Sequence, residues 1–343
     1  MFFNSLKKFL FGQDEKTVEV KQENFIVCPY CLQDNLIDRK TCEKCNREFT
    51  EIYRKHFCRS ELVTAPIIGY TAAGKSVFLD SILYSLFELQ RPELWSQLLL
   101  HAVDEETQNW FDGVRASRAN GTIPPANAPN HEAKRVFVGR NLPLWGKRTF
   151  AFRDVAGENF DGFVFGKFVV DFCVRSHCAI LVLDANAAIE NPARPINTLF
   201  DRYVTTLIEH KARLDNRKIL VVLSKADKLR GYLPTNLSSY LDADPLRGFV
   251  AKDSPYYFDL SNNTQLHKHC RHSLEELDKQ LAAWVATLPG GQQMTQLAME
   301  EKIDLRYTMV SGWGADPTMG ANSAPLRMLD PLFQLLEFHS KEV

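Results

Sequence analysis

Gly69-Tyr70-Thr71-Ala72-Ala73-Gly74-Lys75-Ser76 spells G-x-x-x-x-G-K-S, and its flanks are those such a loop requires. Before it, Leu62-Val63-Thr64-Ala65-Pro66-Ile67-Ile68 reads as a short buried strand. After it, Val77-Phe78-Leu79-Asp80-Ser81-Ile82-Leu83 opens a helix. A strand, a glycine-bearing turn and a helix N-terminus together aim backbone N–H groups and a positive dipole end at a phosphate chain. Gly74 lets the backbone come close, Lys75 reaches the outer phosphates, and Ser76 offers a hydroxyl to Mg²⁺. The backbone from Gly69 to Val77 is the expected cradle, and its expected ligand is a nucleoside triphosphate.

Composition sets bounds around that loop. The chain has 343 residues, 45% hydrophobic and 24% charged, enough for one large domain with a sizeable core and a small second one. A net charge of −1 argues against coating nucleic acid by bulk electrostatics. Four of the eight cysteines fall between positions 28 and 45, a metal-site usage that suits a reducing compartment and a cytoplasmic location. No run of eighteen apolar residues is present to span a bilayer. In residues 1–24, apolar positions 2, 3, 6, 9 and 10 share one helical face beside Lys7 and Lys8, followed by a polar linker. A terminal helix docked on this protein or on a partner is the favoured reading. The alternative is a peripheral membrane contact through residues 2–11.

Residues 25–59 read as a zinc ribbon. Cys28-x-x-Cys31 and Cys42-x-x-Cys45 put two thiolate pairs on tight turns, a donor set suited to tetrahedral Zn²⁺. Four sulfurs leave no open position, so the ion is assigned to folding, with residues 32–41 expected as the hairpin. His56 and Cys58 lie just outside and are not expected to ligate. Seven basic against five acidic residues between 28 and 59 make too mild a surface for a nucleic-acid face. Docking or stapling is the default role.

The remainder, 60–343, is expected to form one nucleotide-binding domain with insertions near 85–130 and 230–300. Arg148 to Arg153 alternates as a strand and ends in Asp154-Val155-Ala156-Gly157-Glu158. This D-x-x-G pattern lets Asp154 hold a metal's water shell and Gly157 present an N–H to the γ-phosphate. Arg135 to Gly139 is expected to pair with that strand through a turn at 143–146, and Arg153 to face outward. Two continuous apolar runs, Ala179 to Leu183 and Lys218 to Leu223, read as buried parallel strands. The second leads into Ser224-Lys225-Ala226-Asp227. A carboxylate there accepts two bonds from guanine's N1–H and amine, a pair adenine cannot offer. Lys225's stem suits the base edge. Tyr307 to Val310 reads as the last strand, leading into Ser311-Gly312-Trp313.

G-x-x-x-x-G-K-S, D-x-x-G, S-K-x-D and a final S-G, each at a strand end, resemble the Ras-like, translation-factor-related P-loop GTPases over about residues 60–340. The resemblance implies an α/β fold with a mostly parallel sheet and GTP or GDP with Mg²⁺ as ligands. It makes 69–76 the phosphate loop, 154–157 switch II, 224–227 the guanine reader and Ser311-Gly312 the base-backing loop. The ribbon and the insertions look most like the bacterial double-GTPase group encoded near conflict and defence systems. That implies a switch read by a partner protein.

Three departures stand out. Ser224 replaces the usual Asn or Thr but keeps a hydroxyl. Glu158 stands where many relatives carry a water-orienting Gln or His, so slow hydrolysis is expected. The stretch from Trp95 to Val114 reads as helical, and the switch I threonine is not obvious. Thr122, in a Gly- and Pro-rich loop, is the candidate for Mg²⁺, with Arg118 (or Arg115) as an internal arginine finger. In the 230–300 insert, Ser273 to Leu288 has helical spacing, and Pro255 to Phe258 are expected over the base or under a partner. Residues 325–339 read as a closing helix. The rival readings are a non-hydrolysing assembly scaffold held by nucleotide and zinc, an ATP-specific P-loop NTPase and, last, a sequence-specific nucleic-acid binder.

Overall fold

The computed structural model describes residues 25–122, 134–156, 167–247, 253–314 and 324–340. Residues 1–24, Gly157 and Glu158 fall outside them. The chain divides into two compact units, the second beginning at Ser60.

In the first unit, β1 (Phe25–Val27) pairs antiparallel with β2 (Asp34–Leu36), in the register Phe25↔Leu36 and Val27↔Asp34. The expected hairpin over 32–41 is therefore displaced: the turn between the strands is the first Cys-x-x-Cys segment itself. Cys28 N–H donates to Gln33 O at 2.8 Å and Leu32 N–H to Cys28 O at 2.8 Å. The second pair repeats this, with Thr41 bridged to Glu48, Cys42 N–H on Arg47 O and Asn46 N–H on Cys42 O, both at 2.9 Å. Leu32 and Asn46, each four residues past the first cysteine of its pair, both take positive φ (58° and 55°). Equivalent backbone turns, not a long loop, present the thiols. Ile26, Phe49, Tyr53 and Phe57 are buried, and Tyr53 OH donates to Val27 O at 2.7 Å.

The second unit is built on a seven-stranded sheet of order β4-β5-β6-β3-β7-β8-β9. Its strands are β3 (Glu61–Gly69), β4 (Leu99–Ala102), β5 (Lys134–Leu142), β6 (Gly146–Ala156), β7 (Cys178–Leu183), β8 (Lys218–Leu223) and β9 (Asp304–Met309). Its helices are α1 (Lys75–Leu89), α2 (Glu105–Ala119), α3 (Lys167–Arg175), α4 (Ala185–Glu190), α5 (Thr198–Glu209), α6 (Thr235–Asp242), α7 (Asn263–Lys268), α8 (Leu274–Val285), α9 (Gly291–Glu300) and α10 (Leu329–His339). β6, β3, β7, β8 and β9 run parallel, while β4 and β5 add an antiparallel flank. This is a mixed α/β fold with a mostly parallel sheet, as the sequence pattern implied. Because β3 is followed on one side by the β4–β6 flank and on the other by β7, the chain reverses its direction of travel at β3. The crevice beside β3 is the place where open α/β sheets bind ligands.

The apolar runs of β7 and β8 are buried throughout. β5 and β6 form the expected hairpin, closing at Leu142↔Gly146. Three expectations change. Trp95 to Val114 is not one helical stretch: β4 occupies 99–102, and α2 starts only after Asp104, whose carboxylate accepts from Thr107 N–H at 2.7 Å. Arg153 does not face outward; it is 1% exposed, its guanidinium 5.6 Å from the Phe172 ring in α3. β6 is a central strand covered on both faces, so its alternation does not mark a solvent side. Phe258 is buried and stacks on His269 at 3.8 Å, while Tyr256 meets Tyr240 edge-on at 5.4 Å, so this segment packs within the insert.

That insert closes around a buried polar cluster. Arg327, 1% exposed and at φ 56°, donates Nε–H to Tyr240 O at 2.9 Å and Nη2–H to Tyr256 O at 3.2 Å; its backbone N–H donates to Asp244. Tyr240 OH donates to Asp330 Oδ2 at 2.6 Å, and His269 Nε2 lies 3.1 Å from Asp330 Oδ1. Against the upward push of burial, Arg327 and His269 hold the Asp330 carboxyl below its ordinary range.

Candidate functional site

β3 delivers the loop. Gly69 ends the strand where a Cβ would meet Val182 O of β7 at 2.6 Å, so the close approach of these two backbones requires glycine. Ala73 N–H donates to Tyr70 O at 3.0 Å, Ala72 takes φ 64° and Gly74 φ 90°, and α1 begins at Lys75. An alanine held at positive φ is strained, a strain that concentrates at ligand-binding loops. Gly74 offers no side-chain cap and the first turn of α1 carries no acidic residue, so nothing in that turn competes with an anion for the N–H groups. Lys75 Nζ folds back over the loop, 2.5 Å from Gly69 O and 3.4 Å from Tyr70 O. Thr71 is exposed; Ser76 and Val77 are half-buried on the first turn of α1.

The other strand ends converge on this loop. Parallel register sets Asp154 beside Ile67, two residues short of the Gly69↔Ala156 pair, and it is 8% exposed. After β8, Ser224 Oγ donates to Ala73 O at 2.7 Å and lies 3.1 Å from Leu183 O, tying the S-K-x-D turn to the loop between β3 and α1. Lys225, at φ 54°, pairs through Nζ with Asp184 Oδ2 at 2.6 Å, while Asp184 Oδ1 accepts from Ala187 N–H and starts α4. The Ser311 hydroxyl donates to Asp227 Oδ1 and accepts from Gly314 N–H at 2.9 Å. Gly312 rests on α1, where a Cβ would come within 2.8 Å of Val77 Cγ1, and Ser81 Oγ donates to Gly312 O at 2.7 Å. Residues 69–77, 154, 224–227 and 311–312 thus stand at one rim of one sheet.

Two candidates are held by other contacts. Thr122 is exposed, its N–H and hydroxyl donating to Ser117 O at 2.9 and 3.3 Å, where it closes the end of α2. Arg118 is 9% exposed, with Nη2 donating to Ser81 Oγ and, at 3.2 Å, to Gly312 O. Its guanidinium lies 4.7 Å from the Trp313 ring and 5.1 Å from Tyr84. An arginine finger needs a guanidinium aimed at the outer phosphates; this one is committed to the loop after β9.

Asp80 was not anticipated. It sits four residues after Ser76, on the same face of α1. It is 6% exposed and accepts from Trp110 Nε1–H at 2.6 Å. Burial pushes its carboxyl up to about 6; the Trp110 bond, Arg118 and Arg135 oppose that shift, and Asp154 adds to it. The i, i+4 spacing from Ser76 was the available signal.

In the first unit, the Sγ atoms of Cys28, Cys31, Cys42 and Cys45 all lie within 4.8 Å of one another, with Cys28–Cys45 at 3.7 Å and Cys31–Cys42 at 3.5 Å. A tetrahedron with Zn–S bonds of about 2.3 Å has sulfur edges of about 3.8 Å, so the donor set fits that ion. Bonds from Cys31 and Cys45, with burial, push the Cys28 thiol far up, while its bonds to Cys28 and Cys31 hold Cys45 down to about 2. Four sulfurs this close cannot all ionise unless a cation shares them. Cys58 Sγ donates instead to Arg54 O, and among the described residues no helix is long and apolar enough to cross a membrane.

No family model and no curated protein matches the chain. Among solved structures it is similar to the GTPase-like domain of S. cerevisiae Ski7 bound to GTP, at 14% identity and TM-score 0.40, over 83% of this chain and 51% of that one. The same domain with GDP and inorganic phosphate gives 14% and 0.39. Sup35 complexed with GMPPNP gives 14% identity and TM-score 0.26, over 75% of this chain and 39% of that one. The chain thus spans about half the length of the Ski7 domain structures. Likeness at this level assigns neither fold nor site; the α/β architecture rests on the strand order and directions of the sheet.

Proposed function

We propose that the unit beginning at Ser60 binds GTP with Mg²⁺, hydrolyses it slowly and reports its state to a partner protein. The observation that carries this is the set of contacts joining three strand-end loops: Ser224 to Ala73, Ser311 to Asp227, and Gly312 against Val77. In this reading Lys75 and the N–H groups of residues 70–76 hold the phosphates. Ser76 and Asp154 hold the metal, directly and through its water, and Thr122 is the further ligand that would have to move to it. Mg²⁺ held by these residues would neutralise phosphate charge. Gly157 N–H holds the γ-phosphate, and Glu158 replaces a water-orienting amide, which slows turnover. Asp227, oriented by the Ser311 hydroxyl, accepts from the guanine edge; Lys225, held by Asp184, lies along the ring. Cys28, Cys31, Cys42 and Cys45 hold a structural Zn²⁺. The partner role, in the conflict-system setting that the double-GTPase resemblance implies, is the outermost part of this reading.

Titration with a fluorescent guanine nucleotide tests it. Saturable binding that Lys75→Ala abolishes and that unlabelled GTP, but not ATP, displaces is expected. Equal displacement by ATP refutes the guanine assignment. Phosphate release under single-turnover conditions, against the Lys75→Ala control, separates a slow enzyme from an assembly scaffold.

A further inference from the structure

The buried face of α2 carries Thr107, Phe111, Val114 and Arg118, three residues suited to a core and one charge. The first three anchor the helix. Thr107 Oγ1 accepts from Val136 N–H of β5 at 3.0 Å, and the Phe111 ring meets Phe137 and Phe87 edge-on at 5.7 and 5.3 Å. A guanidinium at the end of such a face costs desolvation unless it is fully engaged. Here it is engaged by two successive structures: Ser81 and Tyr84 of α1, and Gly312 and Trp313 of the loop after β9. The next residue back along that loop, Ser311, is the one bonded to Asp227.

A continuous chain of contacts therefore runs from α2 through Arg118 to Gly312, Ser311 and Asp227. About two turns below, Trp110 of the same helix grips Asp80, the residue of α1 next to Ser81. α2 bears on α1 at both points, and at Arg118 it also bears on the loop that backs the base.

We propose that Arg118 is a positioning residue that sets how long the nucleotide stays bound, and that α2 is the clamp through which that residence time is controlled. This rests on the guanine-nucleotide reading above. Arg118 acts through Gly312 and Trp313. Shifting the last turn of α2 releases the base loop and with it the orientation of Asp227.

The test is the dissociation rate of N-methylanthraniloyl-GDP from the full chain, chased with excess GDP. A rate constant does not depend on what fraction of a preparation is active, so a purely structural role lowers the melting temperature and leaves this number alone. Arg118→Ala is expected to speed dissociation roughly ten- to hundredfold, the size of a lost buried charged hydrogen bond, with little change in the association rate. Arg118→Lys, which keeps the charge but not the planar fork, is expected to fall between. Folded Arg118→Ala with a rate within twofold of the unaltered chain overturns the proposal. If that variant does not fold, Ser81→Ala decides the matter: an unchanged rate overturns the proposal and a several-fold rise supports it. Failure of the unaltered chain to hold the probe refutes the guanine reading itself, and this proposal with it.

Discussion

Ser224→Ala isolates one buried bond. Ser224 is 4% exposed, and its hydroxyl lies 2.7 Å from Ala73 O and 3.1 Å from Leu183 O. It has a single proton, and Leu183 O already receives the Ser224 N–H at 2.9 Å. The carbonyl that loses its donor is therefore Ala73 O, inside the phosphate loop. Leaving a buried acceptor without a partner costs about 1–3 kcal/mol. The same carbonyl helps hold the loop in shape before ligand arrives, so part of the cost falls on binding. We expect the unliganded protein to lose about 1–2 kcal/mol in urea denaturation and guanine-nucleotide affinity to fall about tenfold. Ser224→Thr, which keeps the hydroxyl, is expected to restore most of both. An alanine variant with an unchanged denaturation midpoint and unchanged affinity refutes the reasoning, because the tie between the two loops then contributes nothing.

Asp80→Asn probes the buried carboxyl on α1. Asp80 titrates near its ordinary 3.8 when unfolded and near 6 when folded, so the native state holds the extra proton between those values. Stability is therefore fully present below about pH 4 and declines as pH rises through about 6, by at most roughly 3 kcal/mol. In Mg²⁺- and nucleotide-free protein, the asparagine variant should match the unaltered chain near pH 4 and exceed it at pH 7.5; equal stability at both pH values contradicts this. Gly69→Ala places a Cβ 2.6 Å from Val182 O between two paired strands, and should destabilise by about 1–3 kcal/mol in calorimetry. An unchanged melting curve would show that the two strands separate easily. Elemental analysis should find one zinc per chain, and Cys31→Ser should reduce it and unfold residues 25–59 while the second unit still melts cooperatively. Full zinc retention in that variant argues against a four-sulfur site.

What the sequence revealed, and what it hid, divides along physical lines. The strand, turn and helix around Gly69 to Ser76, the apolar runs of β7 and β8 and the cysteine spacing are local signals, each set by residues within a few positions of one another. They appear in the structure where the pattern put them. β4 was missed because Leu99-Leu100-His101-Ala102 is four residues long with every other one exposed, too little for a strand signature. The cysteine turns were drawn too long because positive φ at Leu32 and Asn46 is not forecast by those residue types together. The surroundings of Arg118, Arg153 and Asp80 are not legible in the sequence, for one reason. A lone charged residue on a helix or strand takes its role from what the other elements bring beside it, and periodicity carries no record of that. Ser224 was noticed as a departure from the usual residue, but its bond to Ala73 O becomes visible only when two strands are laid side by side.

The cluster around Arg327 bears on how this chain is to be dissected. Ser311 is paired with Leu326, the neighbour of Arg327, whose charge is answered by carbonyls of Tyr240 and Tyr256. Asp330 in turn leans on Tyr240 and His269. Those three partners, Tyr240, Tyr256 and His269, belong to the stretch that runs from α6 to the start of α8. Excising that stretch to obtain a smaller domain strands a cation and an anion in a dry interior and loosens the strip where Ser311 pairs with Leu326. The extra helices are the foundation on which this end of the pocket stands, and a trimmed version would need both ions replaced as well.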